Sequence, residues 1–352
     1  MRRLGIAALA LAVVLIGAHT LIWRAAEQRL QSGFTSWAAV RRAEGWTVQA
    51  GTPESGGWPL AATLAIPNLS ITGGEPDIPG GLAFGAERAT LAVSPWRPRV
   101  LTISFGGAQH IRVGGLPDIP FRADRLRASV PLIPGARTAD IESTNLRAGL
   151  PLTGGSPGSV LVALLQAHVE TKPAAPQGEP AISFTGSAED IALPPRAAPA
   201  PRSWPLGDRI ASVSIEGAVN GPLPRAPDLV TRATAWREGG GTLQIQRLAI
   251  GWGPLGLTGG ATLALDERMQ PMGAATIRLV GHAEALDTLA ANQAITSRAA
   301  MAAKTVLSLM THTPEGGGTP EVGAPLTLQK QVLSLGRIPL LRIPEWFWPS
   351  AP

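Results

Sequence analysis

Two glycine patterns mark where this chain could carry chemistry. Gly251-x-Gly253-x-x-Gly256 follows an apolar run and matches a dinucleotide-binding fingerprint, in which a helix N-terminus must face the pyrophosphate. Gly154-x-Ser156-x-Gly158 matches the nucleophile elbow of hydrolases. Flanking residues argue against both. An oxyanion hole after Ser156 needs the backbone N–H of the next residue, and Pro157 has none. Beyond Gly256 the chain reads Gly-Leu-Thr-Gly-Gly-Ala-Thr-Leu-Ala-Leu, with Leu263 and Leu265 alternating, which is a strand signal and not a helix.

The stretch Gly239–Asp266 is therefore expected as a β-meander: strand, turn at Trp252-Gly253-Pro254, strand, turn at Gly259-Gly260, strand. Leu243, Ile245, Leu248 and Ile250 change phase between Ile245 and Leu248, which predicts a β-bulge.

Other reactive types are dispersed. His19, His110, His168, His282 and His312 stand apart from one another and from paired carboxylates, and no metal-ligand spacing or P-loop occurs. With no Cys, disulfides, thiolate metal sites and Cys nucleophiles are excluded. The expectation is a protein with no catalytic set, cofactor or metal. The isoelectric point near 10.8 suggests nucleic acid at first sight. Its cause is more ordinary: no Tyr or Cys titrates between His and Lys, so a net charge of +5 suffices. The basic residues are scattered singly, without the dense run that tracks phosphates, so nucleic-acid binding is not expected.

The strongest positional signal is N-terminal. Arg2 and Arg3 precede Leu4–Trp23, twenty residues without a full charge, about 30 Å of helix and enough to cross a bilayer. The length of the run and the lack of a small-x-small site before Arg24 favour an uncleaved signal anchor over a cleaved signal peptide. Arg2 and Arg3 on one side, with Trp23 and Arg24 on the other, are the expected membrane-interface residues. The basic end stays cytoplasmic and the rest crosses. Residues 25–45 continue the helix, with Leu30, Phe34, Trp37 and Val40 on one stripe.

From residue 46 to 352 the chain reads as a β-rich domain, with a possible subdivision into 46–205 and 206–352. Gly (41) and Pro (33) punctuate short alternating runs such as Leu101–Phe105, and Pro67 marks an edge or bulge within Trp58–Ile71. Phe84-Gly85-Ala86-Glu87-Arg88 with its following strand reappears at Phe121-Arg122-Ala123-Asp124-Arg125, 37 positions on, with a weaker echo at Asp208–Val213. Such repetition implies a strand unit laid down several times, each copy burying a face on its neighbour. Val160–Thr171 is ambiguous and assigned to strand. Glu284–Met310 is Ala-rich, free of Gly and Pro, and has helical spacing, with a kink at Asn292-Gln293. The terminal Trp346, Phe347 and Trp348 could dock on the core or sit in a membrane interface, and the prolines beside them favour docking. The fold class is mainly β: an elongated, curved antiparallel sheet of repeated strand units, with an N-terminal transmembrane helix and one long Ala-rich helix near the C-terminus.

Five features together resemble the bacterial domain-of-unknown-function family numbered 2125. They are Gly57-Trp58-Pro59, Trp252-Gly253-Pro254, Gln270-Pro271-x-Gly273, the late Ala-rich helix and Leu335-Gly336-x-Ile338-Pro339. Gln331 departs from the resemblance, since such sequences usually place Gly before the last strand. The resemblance implies an inner-membrane-anchored envelope protein, similar in architecture to the AsmA-like group, whose curved sheets present an apolar groove linked to lipid movement. The expected partners are the inner membrane, phospholipid or fatty acyl chains, and other envelope proteins. The expected activity is binding of a hydrophobic ligand in a sheet groove; the alternative is a structural or assembly factor.

Overall fold

The computed structural model describes residues 2–74, 81–114, 116–133, 137–150, 158–172, 175–195, 204–224, 229–312, 320–336, 338–346 and 348. The protein is mainly β, its strands antiparallel, preceded by one long N-terminal helix. It forms two compact units, Met1–Ile141 and Glu142–Pro352.

In the first unit, helix α1 (Arg2–Ala43) runs without a break from the apolar segment into the amphipathic extension. The unit's strands are β1 (Thr47–Gln49), β2 (Glu54–Gly56), β3 (Ala62–Gly73), β4 (Leu82–Ser94), β5 (Arg97–Val113), β6 (Ile119–Arg122) and β7 (Arg125–Pro131). The unit boundary falls within β8 (Thr138–Leu150). Side by side, β1 and β2 share one edge of β3, whose other edge pairs with β4, and β4 pairs with β5. Pro67 lies opposite the gap between β1 and β2, where its missing N–H costs no ladder bond; Gly51 N–H donates to its carbonyl at 2.8 Å. Asn68, at φ 49, then shifts the alternation by one residue, so Ala62, Leu64, Ile66 and Leu69 are all buried. These side chains form the core with Leu30 and Ala38 of α1, and Trp23, Ala26 and Phe34 pack against it from the same helical stripe.

The repeat has a direct structural counterpart. Its two copies flank one strand: Ala89 and Leu126 both pair with Phe105, and Leu91 and Ala128 both pair with Ile103. Equivalent positions of the repeat thus meet the same partner from opposite sides, on β4 and on β7.

The second unit is an antiparallel meander. Strands β9 (Gly158–Thr171), β10 (Pro180–Ala192), β11 (Arg209–Asn220), β12 (Thr242–Trp252), β13 (Leu255–Leu265) and β14 (Pro271–Val280) pair in sequence order. A short helix, α2 (Leu229–Glu238), is inserted between β11 and β12. After β14 come α3 (His282–Ala291), α4 (Ser297–Met310) and β15 (Thr311–His312). The meander then resumes on β14 with β16 (Glu321–Gln329), β17 (Val332–Leu335) and β18 (Ile338–Arg342). The Ala-rich stretch is therefore two helices instead of one long one. The break begins at Asn292-Gln293, where Gln293 takes φ 57, and Thr296 caps α4 by accepting from Ala299 N–H.

The meander contradicts one expected turn. Gly259 and Gly260 lie inside β13, paired with Ile277 and Thr276 of β14. Their lack of a side chain serves close approach. A Cβ on Gly259 would stand 2.6 Å from the Thr276 carbonyl oxygen, and one on Gly260 would stand 3.0 Å from that of Ile245. Those neighbours adjoin the register shift between Ile245 and Leu248, where the sequence predicts a bulge.

Candidate functional site

Alternation along β14 is strict: Gly273, Ala275, Ile277 and Leu279 are half-buried, whereas Met272, Ala274, Thr276 and Arg278 are exposed. Register carries this apolar face across the meander, because residues paired side by side point the same way. One row runs Ile182–Val219–Leu243–Leu263–Gly273–Leu328, and the next runs Phe184–Gly217–Ile245–Ala261–Ala275–Leu326. The glycines make room for large neighbours. A Cβ on Gly217 would stand 2.7 Å from the Phe184 ring, and one on Gly273 would stand 2.9 Å from the Leu263 side chain. This face is only partly covered. Among the described residues of Glu142–Pro352 the buried apolar side chains are alanines, with Val322 and Pro194 as the exceptions.

Helix α2 crosses the end of that face and is held at both sides. Trp236 Nε1 donates to Asn220 O at 2.9 Å, and Arg237 Nη1 donates to Glu267 O at 3.1 Å. The helix stops at three glycines. Gly240, at φ 71, supplies the left-handed residue, while Gly239, Gly240 and Gly241 N–H donate to the carbonyls of Ala235, Arg237 and Trp236. Between helix and sheet lies a cavity of about 540 Å³. Ile182, Val219, Leu243, Leu263, Leu265 and Pro271 line it from the sheet, and Leu229, Ala233 and Trp236 line it from α2. Leu223, Pro224 and Trp348 complete the apolar wall, and Arg232 is the one charged side chain among the described lining residues. Its volume falls within the range of small-molecule sites, about 300–1,000 Å³. A site so poor in polar groups selects by shape and hydrophobicity.

Trp348 reaches the cavity because the C-terminal segment is docked. The buried Gln270 amide donates to Trp346 O at 3.0 Å, its carbonyl accepts from Trp346 N–H at 2.8 Å, and Trp348 Nε1 donates to Met269 O at 2.6 Å. Phe347 lies outside the described residues.

The other sequence-marked residues fall elsewhere. Trp252, Gly253 and Pro254 form the connection from β12 to β13, and Gly251 pairs with Gly256 across it, so no helix opens at this glycine pattern. Trp252 Nε1 donates to Gly207 O at 2.7 Å, and a Cβ on Gly253, at φ 56, would stand 2.5 Å from Leu206 O. Residues 154–157 of the serine pattern lie outside the described residues. Trp23 Nε1 donates to Ala61 O at 2.9 Å, and Arg24 is exposed. The side chains of Arg2 and Arg3 lie outside those described. Among the described residues no three His, Asp or Glu side chains gather as metal ligands. Sequence reasoning missed α2 and hence the cavity. Its one usable signal was the helix-stopping Gly239-Gly240-Gly241 run after Trp236.

Fold and site define a mainly β bacterial protein with an N-terminal helix apolar enough to span a membrane, or to act as a signal anchor, and an apolar cavity on its sheet. Residues 23–344 match the family described as "Uncharacterized protein conserved in bacteria (DUF2125)", and the chain belongs to that family. No curated protein and no solved structure matches it.

Proposed function

We propose that this is an inner-membrane-anchored envelope protein, with everything beyond α1 in the periplasm, that holds the acyl chain of a lipid beneath α2. The observation that carries the reading is the 540 Å³ cavity, with its aliphatic floor and, among the described residues, a single charged wall residue. The half-covered apolar face continuing beyond it supports the same reading, since a second layer of protein would have buried more than alanines. Burying a methylene stabilises by about 0.8 kcal/mol relative to water, so a dozen would contribute on the order of 10 kcal/mol. Transfer from a bilayer core starts from an equally apolar medium, which makes loading from the membrane nearly neutral and reversible. The protein acts as a binding module without chemistry of its own.

The test uses the full chain in membranes containing a photoactivatable fatty acyl phospholipid, with adducts mapped by mass spectrometry. Adducts are expected on Leu229–Trp236 and on Leu243 or Leu263, and filling the cavity by Ala233→Trp should remove them while sparing those on α1. Labelling confined to α1 would sink the idea.

A second reading, an assembly factor for other envelope proteins, draws on β18. This strand pairs only with β17 among the described residues, and Ile338, Leu340 and Leu341 on it are exposed. An open apolar edge is suited to strand addition, although Pro339 removes one donor from it. In-cell crosslinking from Leu340 to one dominant protein, with no lipid adduct in the cavity, would favour this reading.

A further inference from the structure

The motif Gly57-Trp58-Pro59 has a place in the fold that the sheet cavity leaves unexplained. It forms a tight turn in which Leu60 and Ala61 N–H both donate to Gly57 O, at 3.1 and 3.0 Å. Gly57 takes φ +91, and a Cβ there would stand 2.4 Å from Ala61 O. The turn is pinned to α1 twice, one helical turn apart: His19 Nε2 donates to Pro59 O at 2.7 Å, and Trp23 Nε1 donates to Ala61 O at 2.9 Å. Trp23 and His19 therefore face the turn, not lipid. The side chains the turn presents outward are Trp58, 52% exposed, and Leu60, 73% exposed. Ile16 and Ile22 of α1, on either side of the His19–Trp23 face, are exposed as well.

Level decides what that surface meets. At 1.5 Å per residue, Leu4 to His19 is about 22 Å and Leu4 to Trp23 about 28 Å, against a hydrocarbon core of about 30 Å. The turn is thus fastened to the helix where the far leaflet ends. Resting on the reading of α1 as a membrane span, we infer that the Trp58-Pro59-Leu60 turn inserts into the outer interface of the same bilayer. An indole suits that depth, and Leu60 reaches the acyl region beside it. The occupant of this surface is lipid, and the turn fixes the height of the first unit above the membrane. The hydrogen bond to Pro59 also satisfies His19 Nε2 at a depth where an unpaired polar group is costly.

The chain contains no cysteine, so single labels are straightforward. Leu60→Cys, Val14→Cys and Ala43→Cys variants of the full chain would carry an environment-sensitive fluorophore in phosphatidylethanolamine–phosphatidylglycerol vesicles with nitroxide lipids of two depths. Ala43 is exposed at the end of α1, about 30 Å beyond Trp23 along the helix. We expect Val14 to be quenched best by the deep nitroxide, Leu60 several-fold more by the shallow nitroxide than Ala43 is, and Ala43 hardly at all. Quenching at Val14 with Leu60 behaving as Ala43 overturns the insertion and leaves the span intact. Absence of quenching at Val14 overturns the span, and the insertion with it. Because Leu60 is so exposed, its replacement leaves the fold in place.

Discussion

Trp236 fills the space that a side chain on Gly241 would need: its ring atoms lie 2.2–2.3 Å from where that Cβ would stand. The indole that closes the cavity is seated on a residue five positions later, past the end of its own helix. Gly241→Ala is expected to expel the ring, break its bond to Asn220 O and lower stability by about 1–3 kcal/mol. Amide exchange of residues 229–238 should rise by more than the global loss accounts for, and cavity labelling should fall with it. Unchanged exchange in α2 would refute the coupling.

Gln270 holds the C-terminal segment through both ends of its amide. Gln270→Ala removes both bonds and leaves the Trp346 N–H and C=O without this partner, a loss of about 1–3 kcal/mol. Proteolysis C-terminal to Ile343 should accelerate in this variant, and the cavity should lose the Trp348 wall. A digestion rate equal to wild type would count against the docking role.

Lys330 and Gln331 connect β16 to β17 with φ 48 and φ 64, while Gln329 pairs with Val332. Positive φ at both central residues is the type I′ hairpin geometry, which favours glycine at the second. The turn forms in spite of Gln331. Gln331→Gly relieves about 1–2 kcal/mol of left-handed strain against about 0.5–1 kcal/mol of added chain entropy. It should therefore raise stability by about 0.5–1 kcal/mol, read as a higher thermal midpoint, and a lower midpoint would show that the side chain makes a compensating contact.

Gly57 and Gly45 separate packing from backbone strain. Both have positive φ, +91 and +86, but a Cβ on Gly45 meets nothing within 4 Å whereas one on Gly57 strikes Ala61 O and Thr63. Gly45→Ala should cost about 1 kcal/mol, and Gly57→Ala at least that much more, with loss of the Trp23 bond. Detergent-solubilised full chain with a thermal readout makes the comparison, and equal midpoints would contradict it.

Sequence by itself determined the features that depend on near neighbours. The uncharged run Leu4–Trp23, the alternation in Leu101–Phe105, the phase change between Ile245 and Leu248 and the 37-residue repeat are all local patterns, set by how a helix or strand presents successive side chains. The long N-terminal helix, the antiparallel meander and its bulge follow directly from them. Tertiary structure alone decided where strands touch and what lies between them. Gly259 and Gly260 carry a turn signal in sequence, yet they sit in mid-strand because carbonyls on the neighbouring strands leave no room for a Cβ. Trp23, a boundary residue by position, is claimed by a carbonyl thirty-eight residues away. The cavity under α2 needs one row from four paired strands and a helix that no local apolar period announces, so no window of the sequence contains it.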